Sequence, residues 1–462
     1  MVRRLRPDLP FQRIAVVLSG GGALAAYETG VLRTLERVGL EPAIVSGASA
    51  GALNAVAWVA HGFRGGALER VWRQMDPAEI GIRWTTIALR AAGGMLLALG
   101  VLQAVVSWTG SSEMSFLAVF RHGEPVGLWP TSSFLDILAW ILVAAGGFAL
   151  LRSSREAEKW LARFGDPESE RRFRIWGAVV LLLWSCAHLI TWLFAWPWPH
   201  RFSATLLAVT AAVWLLGRSR RAGEWARSFL FFLMPDTDGR GLWGSAARRH
   251  LLERLIGAGA RKRLWPGQTH VILSALALDN GRIAHFVNWP EPSARFIARV
   301  EASLGEVICA GSAKGVLEAA IASSAIPVLF EPARIGGRDF VDAVAFSMHP
   351  LRAAIYDDAD AAIVVVVAPS GEPPAPVPAR NPLDVWGRYL DLANWRDLQQ
   401  ELLALPVSWR GSETPLKLCI VEPEAPLPGG VLAYSPRIAA KLIRRGELDA
   451  LRALDAAGWL AS

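Results

Sequence analysis

Two short apolar runs constrain this chain most. Each is broken by a glycine-rich turn and followed by a stretch with helical spacing. Ile14–Leu18 is β-branched, short and stopped by Gly20-Gly21-Gly22, the pattern of a buried strand. Ala23–Val38 then places Leu24, Tyr27, Val31, Leu35 and Val38 on one helical face, and Gly39 stops it. Ala43–Val45 reads as a second strand. Gly47-Ala48-Ser49-Ala50-Gly51 makes the next turn, and Ser49–His61 reads as a second helix. Strand, turn, helix, strand, turn, helix implies the α/β class, with a parallel sheet and right-handed crossovers.

The two turns carry different chemistry. Gly47-x-Ser49-x-Gly51 is the sharp corner that exposes a serine hydroxyl between a strand and a helix. Gly20, Gly21 and Gly22 offer backbone N–H groups that no side chain covers, suited to stabilising an oxyanion. Gly20-x-Gly22-x-x-Ala25 also fits a dinucleotide fingerprint loosely, but the acid in the ribose position, Glu41, precedes Pro42 and a short strand. No G-K-[ST] follows, which excludes a P-loop, and no nucleotide partner is expected. A serine nucleophile needs a base. His61 lies at the far end of the serine's own helix, roughly 18 Å along it. His188 falls in a long apolar run. His349, just after Asp342, is the one triad histidine that chain order allows, and Asp342 acting directly is the other possibility.

Composition enters at residue 80. The chain is 53% hydrophobic and only 19% charged, with a mean hydropathy of +0.31. A soluble protein averages about 25% charged residues. The apolar excess gathers in Ala91–Trp108, Phe134–Leu151, Trp176–Trp198 and Phe202–Gly217. A membrane-spanning helix needs about 20 residues, so about four transmembrane helices are expected within 80–235. Arg152, Arg155, Lys159, Arg163, Arg171, Arg172 and Arg174 fill one intervening loop, and Arg218, Arg220 and Arg221 follow the fourth run. Loops 109–133 and 197–201 hold one arginine each, Arg121 and Arg201. This alternation is the positive-inside pattern. It puts both ends of the insert in the cytoplasm and makes the protein a multi-pass protein of the cell inner membrane. The competing reading is a buried or interfacial helical cap. The net charge of +7 is assigned to solvated surface and to these loops. No basic stripe interleaved with aromatics points to nucleic acid.

Beyond 235 the chain reads as globular again. Thr269–Leu278 and Arg282–Val287 form a hairpin about Asp279-Asn280-Gly281, Gly315–Ser324 a helix, and Asp339–Asp342 a short strand entering a loop. Ala362–Ala368 is a buried strand, Gly371–Pro382 a proline-rich loop, Leu416–Val421 a strand and Ser435–Leu460 a helix. The domain boundaries expected are 1–79, 80–235, 236–370 and 371–462. They mark the first catalytic half, the insert, the second catalytic half and a C-terminal extension. Cys186, Cys309 and Cys419 are far apart and show no metal-ligand spacing, so neither metal nor cofactor is expected, and a reducing compartment is compatible. The basic start Met1–Arg6 lacks the apolar core of a secretory signal. Nothing in the sequence sets an oligomeric state.

Taken together, Val17-Leu-Ser-Gly-Gly-Gly-Ala23, Tyr27-x-x-Gly30-Val31-Leu32, Gly47-Ala-Ser-Ala-Gly51, Ala322-Ser-Ser-Ala-Ile-Pro327 and Phe340-Val-Asp342 resemble the bacterial patatin-like phospholipases. The likeness covers roughly 12–62 and 268–368. It implies a three-layer α/β/α fold with a mostly parallel central sheet, here interrupted by the transmembrane insert. It implies a serine acyl hydrolase that cleaves carboxylic esters of membrane phospholipids or lysophospholipids without a cofactor. Ser49 would be the nucleophile and Asp342 the base of a Ser-Asp dyad, with no catalytic histidine. Gly20, Gly21 and Gly22 would line the oxyanion hole. The chain departs from the family at Leu24 and Ala25, where a basic residue and glycine are usual, and at Ala343, where glycine is usual. The alternative is therefore a catalytically weak or silent membrane-anchored protein that binds lipid or a partner.

Overall fold

The computed structural model describes residues 4–6, 8–82, 240–344, 346–371, 373, 382–403 and 416–461, with short pieces between 87 and 152. It divides into two compact units, one of 1–82 with 236–462 and the other of 83–235.

The first unit is built on one sheet. Its strands are β1 (Ile14–Leu18), β2 (Ile44–Ala48), β3 (His270–Ala277), β4 (Ile283–Val287), β5 (Gly305–Cys309), β6 (Ala333–Ile335), β7 (Arg338–Val341), β8 (Ala361–Val365) and β9 (Lys417–Val421). The order across the sheet is β9-β8-β1-β2-β3-β4-β5, and β6 and β7 branch from β3. All neighbours in that order run parallel except β3 and β4. The central strands β1, β2 and β8 are buried on both faces, which is why they read as unbroken apolar runs. Ala15, Val17, Ile44 and Ile272 pack on one side with Phe296, Leu351, Ile355 and Leu398. Their neighbours Val16, Leu18 and Val45 point the other way and are fully buried too. Helices therefore cover both faces, and the fold is the expected α/β sandwich with a mostly parallel sheet.

Helix α1 (Ala26–Val38) follows a single 3₁₀ turn, Gly22–Ala25, where the sequence suggests helix from Ala23. Helices α2 (Ala50–Ala60) and α3 (Gly66–Gln74) come next. Beyond the second unit lie α4 (Ala246–Ala260), α5 (Ala294–Ala302), α6 (Ala313–Ser323), α7 (Leu351–Tyr356), α8 (Pro382–Leu403) and α9 (Pro436–Ala456). Three elements of the stretch expected as a C-terminal extension belong to this unit, α8 among them with Leu398 in the core. β9 extends the sheet beside β8, and α9 lies along α1. A Cβ on Gly30 would sit 1.9 Å from Ile443 O, and one on Gly446 would sit 2.1 Å from Tyr27 O. Bare glycines at the crossing let the two helix backbones touch. The Tyr27 hydroxyl then reaches across to Asp449 at 3.1 Å.

In the second unit, strands Ala118–Arg121 and Glu124–Gly127 form an antiparallel hairpin. Among the described residues no helix is long and apolar enough to cross a membrane. The expected spans Trp176–Trp198 and Phe202–Gly217 lie outside the described residues, as do the basic loop 152–175, except Arg152, and Arg218–Arg221. Of Ala91–Trp108 and Phe134–Leu151 the described part is helical, chiefly 91–94, 96–97 and 141–149.

Candidate active site

The register of three strands brings two distant segments together. β2 climbs along one edge of β3 until Ala48 pairs with Ser274. There the chain turns away into α2. β3 continues to Ala277, and β4 occupies its other edge. The edge that β2 leaves is taken by β7, running the opposite way, with Ala277 opposite Phe340 and Leu276 opposite Val341. One further step of this register sets Asp342 level with Ala275, next to the partner of Ala48. Ser49 at the end of β2 and Asp342 at the end of β7 therefore meet head-on along one strand edge.

The turn at Ser49 is sharp. Its φ of 52° and ψ of −127° are costly for any residue with a Cβ. The glycines on either side make the turn fit. A Cβ on Gly47 would lie 2.7 Å from Gly51 O, and one on Gly51 would lie 2.5 Å from Ser19 O and 2.6 Å from Leu18 O. The elbow is thus pressed directly onto the end of β1. Ser49 is only 3% exposed, and its N–H donates to Ser323 Oγ at 2.9 Å. Ser323 in turn donates to Ser274 O at 2.6 Å, and the Ser274 hydroxyl is 2.9 Å from His285 Nδ1, its cross-strand partner. Burial holds His285 down at about 4, so it is neutral at physiological pH.

Asp342 is 1% exposed. Its Oδ1 accepts the Val344 N–H at 3.0 Å, while Oδ2 makes no hydrogen bond of ordinary geometry. The Ser49 hydroxyl is close enough to favour the charged carboxylate, as are Val344 N–H and the Arg248 guanidinium. Burial outweighs all three and raises the carboxyl to about 7. A base poised near neutrality is what proton transfer from a serine requires, and such contacts tighten when substrate binds.

The glycine turn splits in function. Gly20 donates its N–H to Met348 O at 3.1 Å, and Ala23 donates to Val431 O at 2.8 Å. Among the described residues the N–H groups of Gly21 and Gly22 carry no such bond. They are the uncommitted donors of the three glycines in the expected oxyanion hole. Gly22 has φ +53°, and a Cβ there would lie 2.3 Å from Val431 O. The departures from the family pattern do not strain the backbone. Ala25 has φ −65° and ψ −6°, ordinary helical values, and Ala343 is not among the residues at positive φ.

The histidines stand elsewhere. His349 Nδ1 bonds Asp397 Oδ2 at 2.9 Å, and the same oxygen accepts the N–H groups of Met348 and His349. Among the described residues no hydrogen bond joins His349 to Ser49 or Asp342. His61 Nε2 is 3.0 Å from Leu255 O. The described residues contain no cluster of His, Cys, Asp and Glu able to hold a metal ion. Sequence reasoning missed Arg248, Ser274, His285, Asp397 and Val431. None lies within one of the motifs, and none has a local pattern of its own. Ser323 and Ser324 lay inside a quoted motif without an assigned role.

Residues 16–355 match the family described as Patatin, the patatin-like phospholipases. No curated protein matches the chain. Among solved structures, the crystal structure of VipD from Legionella pneumophila is 13% identical. The alignment covers 98% of this chain and 70% of that one. Its TM-score is 0.32, too low to carry weight.

Proposed function

The chain belongs to the patatin-like phospholipase family, and from that premise we propose that it is a serine acyl hydrolase cleaving carboxylic esters of membrane lipids with Ser49 as nucleophile and Asp342 as base. The observation that carries the reading is the head-on meeting of Ser49 and Asp342 along the β3 edge, with the carboxyl held near neutrality.

Asp342 takes the hydroxyl proton as Ser49 Oγ attacks the ester carbonyl. The new C–O bond pushes an electron pair onto the carbonyl oxygen, which the Gly21 and Gly22 N–H groups hold. Collapse expels the alcohol, which leaves with the proton from Asp342. Asp342 then draws a proton from water as it attacks the acyl-serine. The second tetrahedral species releases the fatty acid, and the proton returns to Ser49 Oγ. No histidine is needed, which fits His349 being engaged by Asp397.

A lipid ester is the substrate class that the family suggests. The four apolar stretches within 80–235 supply the contact with the membrane, and their basic loops set the catalytic unit on the cytoplasmic side. Lipid products from a mixed membrane extract, compared between wild type and Ser49→Ala, test the chemistry. Fatty acid release by wild type alone is expected, and equal release by both overturns the assignment. Retention in the pellet on carbonate extraction is the expected sign of spanning segments, and release into the supernatant rules against them.

A further inference from the structure

Helix α4 brings to this site a residue that the proposed mechanism leaves unused. Arg248 is 4% exposed, and its guanidinium carbon lies 3.8 Å over the Phe330 ring. Its Nη1 donates to Ser324 O at 2.5 Å and to Ser324 Oγ at 3.0 Å. Nε and Nη2 are buried and have no hydrogen-bond partner among the described residues. A guanidinium so placed costs several kcal/mol unless other groups compensate it, so its position calls for an explanation.

The explanation lies in three consecutive residues at the end of α6. Ser323 Oγ accepts the Ser49 N–H at 2.9 Å. Ser324 takes Arg248. Ala325 O accepts the Asp342 N–H at 2.9 Å. One short turn therefore holds the backbone of both reacting residues, and the residue between those two arms is the one that Arg248 grips. We propose that Arg248 is a positioning residue for the Ser49–Asp342 pair: it locks the Ser323–Ala325 turn that sets the two backbones against each other, and it fixes a positive charge beside Asp342. The proposal rests on reading Ser49 as nucleophile and Asp342 as base.

The surrounding groups are few. Asp342 faces the Ser49 hydroxyl from the turn before α2, the Val344 N–H from its own loop, Arg248 from α4 and Tyr434 from the segment before α9. Arg248 faces Asp342, Tyr434 from the segment before α9, Glu331 from the loop before β6, and Arg249 beside it on α4. Burial lowers Arg248 only to about 10, so its charge is present throughout the range where Asp342 titrates. The same burial, with Asp342 nearby, raises Tyr434, which stays a neutral phenol there. Removing the Arg248 charge leaves Asp342 harder to ionise, and freeing the turn loosens the alignment that kcat depends on.

The test is the pH profile of kcat/KM for a chromogenic ester in detergent micelles, on the full chain, from pH 5 to 9. Ser49→Ala sets the background. Arg248→Met is expected to move the acid limb up by about one pH unit and to lower the plateau kcat about tenfold with KM nearly unchanged. Arg248→Lys keeps the charge and is expected to keep the wild-type limb with most of the turnover. Each rate is divided by the folded fraction measured by tryptophan fluorescence at the same pH, so that a pH-dependent loss of folded protein does not pass for the shift. An Arg248→Met limb that coincides with wild type overturns the proposal. If Arg248→Met gives no measurable rate, Arg248→Lys decides: recovered turnover on the wild-type limb supports it, and silence like that of the Met variant overturns it. Turnover in Ser49→Ala equal to wild type overturns the hydrolase reading and this proposal with it, whereas an unmoved limb with Ser49→Ala inactive overturns only the role of Arg248.

Discussion

Ionising Asp342 sets function against stability, and Asp342→Asn separates the two. The carboxyl is 1% exposed and its pKa rises from an ordinary 3.8 to about 7. Between those values the folded protein binds more protons at this site than the unfolded chain does. Stability therefore falls as pH climbs through that window and levels off above about 7. Three pH units at about 1.4 kcal/mol each make the ionised carboxylate cost about 4 kcal/mol at pH 8. At pH 5, little more than one unit into the window, the cost is less than half of that. Asparagine has the same shape, carries no charge and keeps an oxygen for the Val344 N–H. Asp342→Asn should thus be more stable than wild type by roughly 4 kcal/mol at pH 8 and by less than half of that at pH 5, with ester hydrolysis lost at both. Denaturant unfolding of each protein at the two pH values, followed by tryptophan fluorescence, measures the gap. In wild type the same titration appears as an acid limb centred near pH 7, with turnover at pH 6 about a tenth of the plateau. A stability gap that fails to widen between pH 5 and pH 8 refutes the reasoning, because it means that the native carboxyl is not the desolvated group described above.

Gly51→Ala should displace the elbow from β1, since its Cβ would lie 2.5 Å from Ser19 O. A loss of about 3 kcal/mol, with loss of fluorophosphonate labelling at Ser49, is expected, and wild-type labelling in a folded variant contradicts it. His349→Ala should keep turnover per labelled Ser49 within about threefold of wild type while lowering the melting temperature, because a buried partner of Asp397 is lost. A drop in turnover comparable to Ser49→Ala would restore a catalytic histidine. Asp397→Ala strips one acceptor from three donors, Met348 N–H, His349 N–H and His349 Nδ1. It should cost about 3 kcal/mol in denaturant titrations and leave the acid limb of the rate profile in place.

The parts of the fold legible in the sequence were those with local causes. Ile14–Leu18 and Ala361–Val365 announce themselves because a strand buried on both faces has no polar positions to interrupt it. Ser49 and the glycines beside it are legible because a strained corner pressed against β1 tolerates few residues. Val431 is different. It lies just before α9, yet its carbonyl takes the Ala23 N–H and shapes the bed of Gly22. Asp397 lies on α8, a helix the sequence did not suggest, and acts on a loop that begins at Asp342. Both act through tertiary contacts that no period or spacing encodes. The roles of the three glycines were also not separable in advance, because the commitment of the Gly20 N–H depends on where Met348 O comes to lie.

The same geometry explains how the catalytic unit tolerates an interruption between nucleophile and base. Residues 83–235 fall between α3 and α4 in sequence, so they interrupt no strand of the sheet. Two strand pairings must form across them, β1 with β8 and, at the site itself, β2 with β3. Closing a loop costs only about 0.6 kcal/mol more for each doubling of its length, so a long insert weakens these pairings little. Once β3 is beside β2, its edge beyond Ser274 stands open, and β7 fills it from a hairpin formed locally with β6. The distance in sequence between Ser49 and Asp342 is therefore no measure of how firmly they are held together. Their alignment depends on three residues of β3 and on the Ser323–Ala325 turn, all on the same side of the insert as the base.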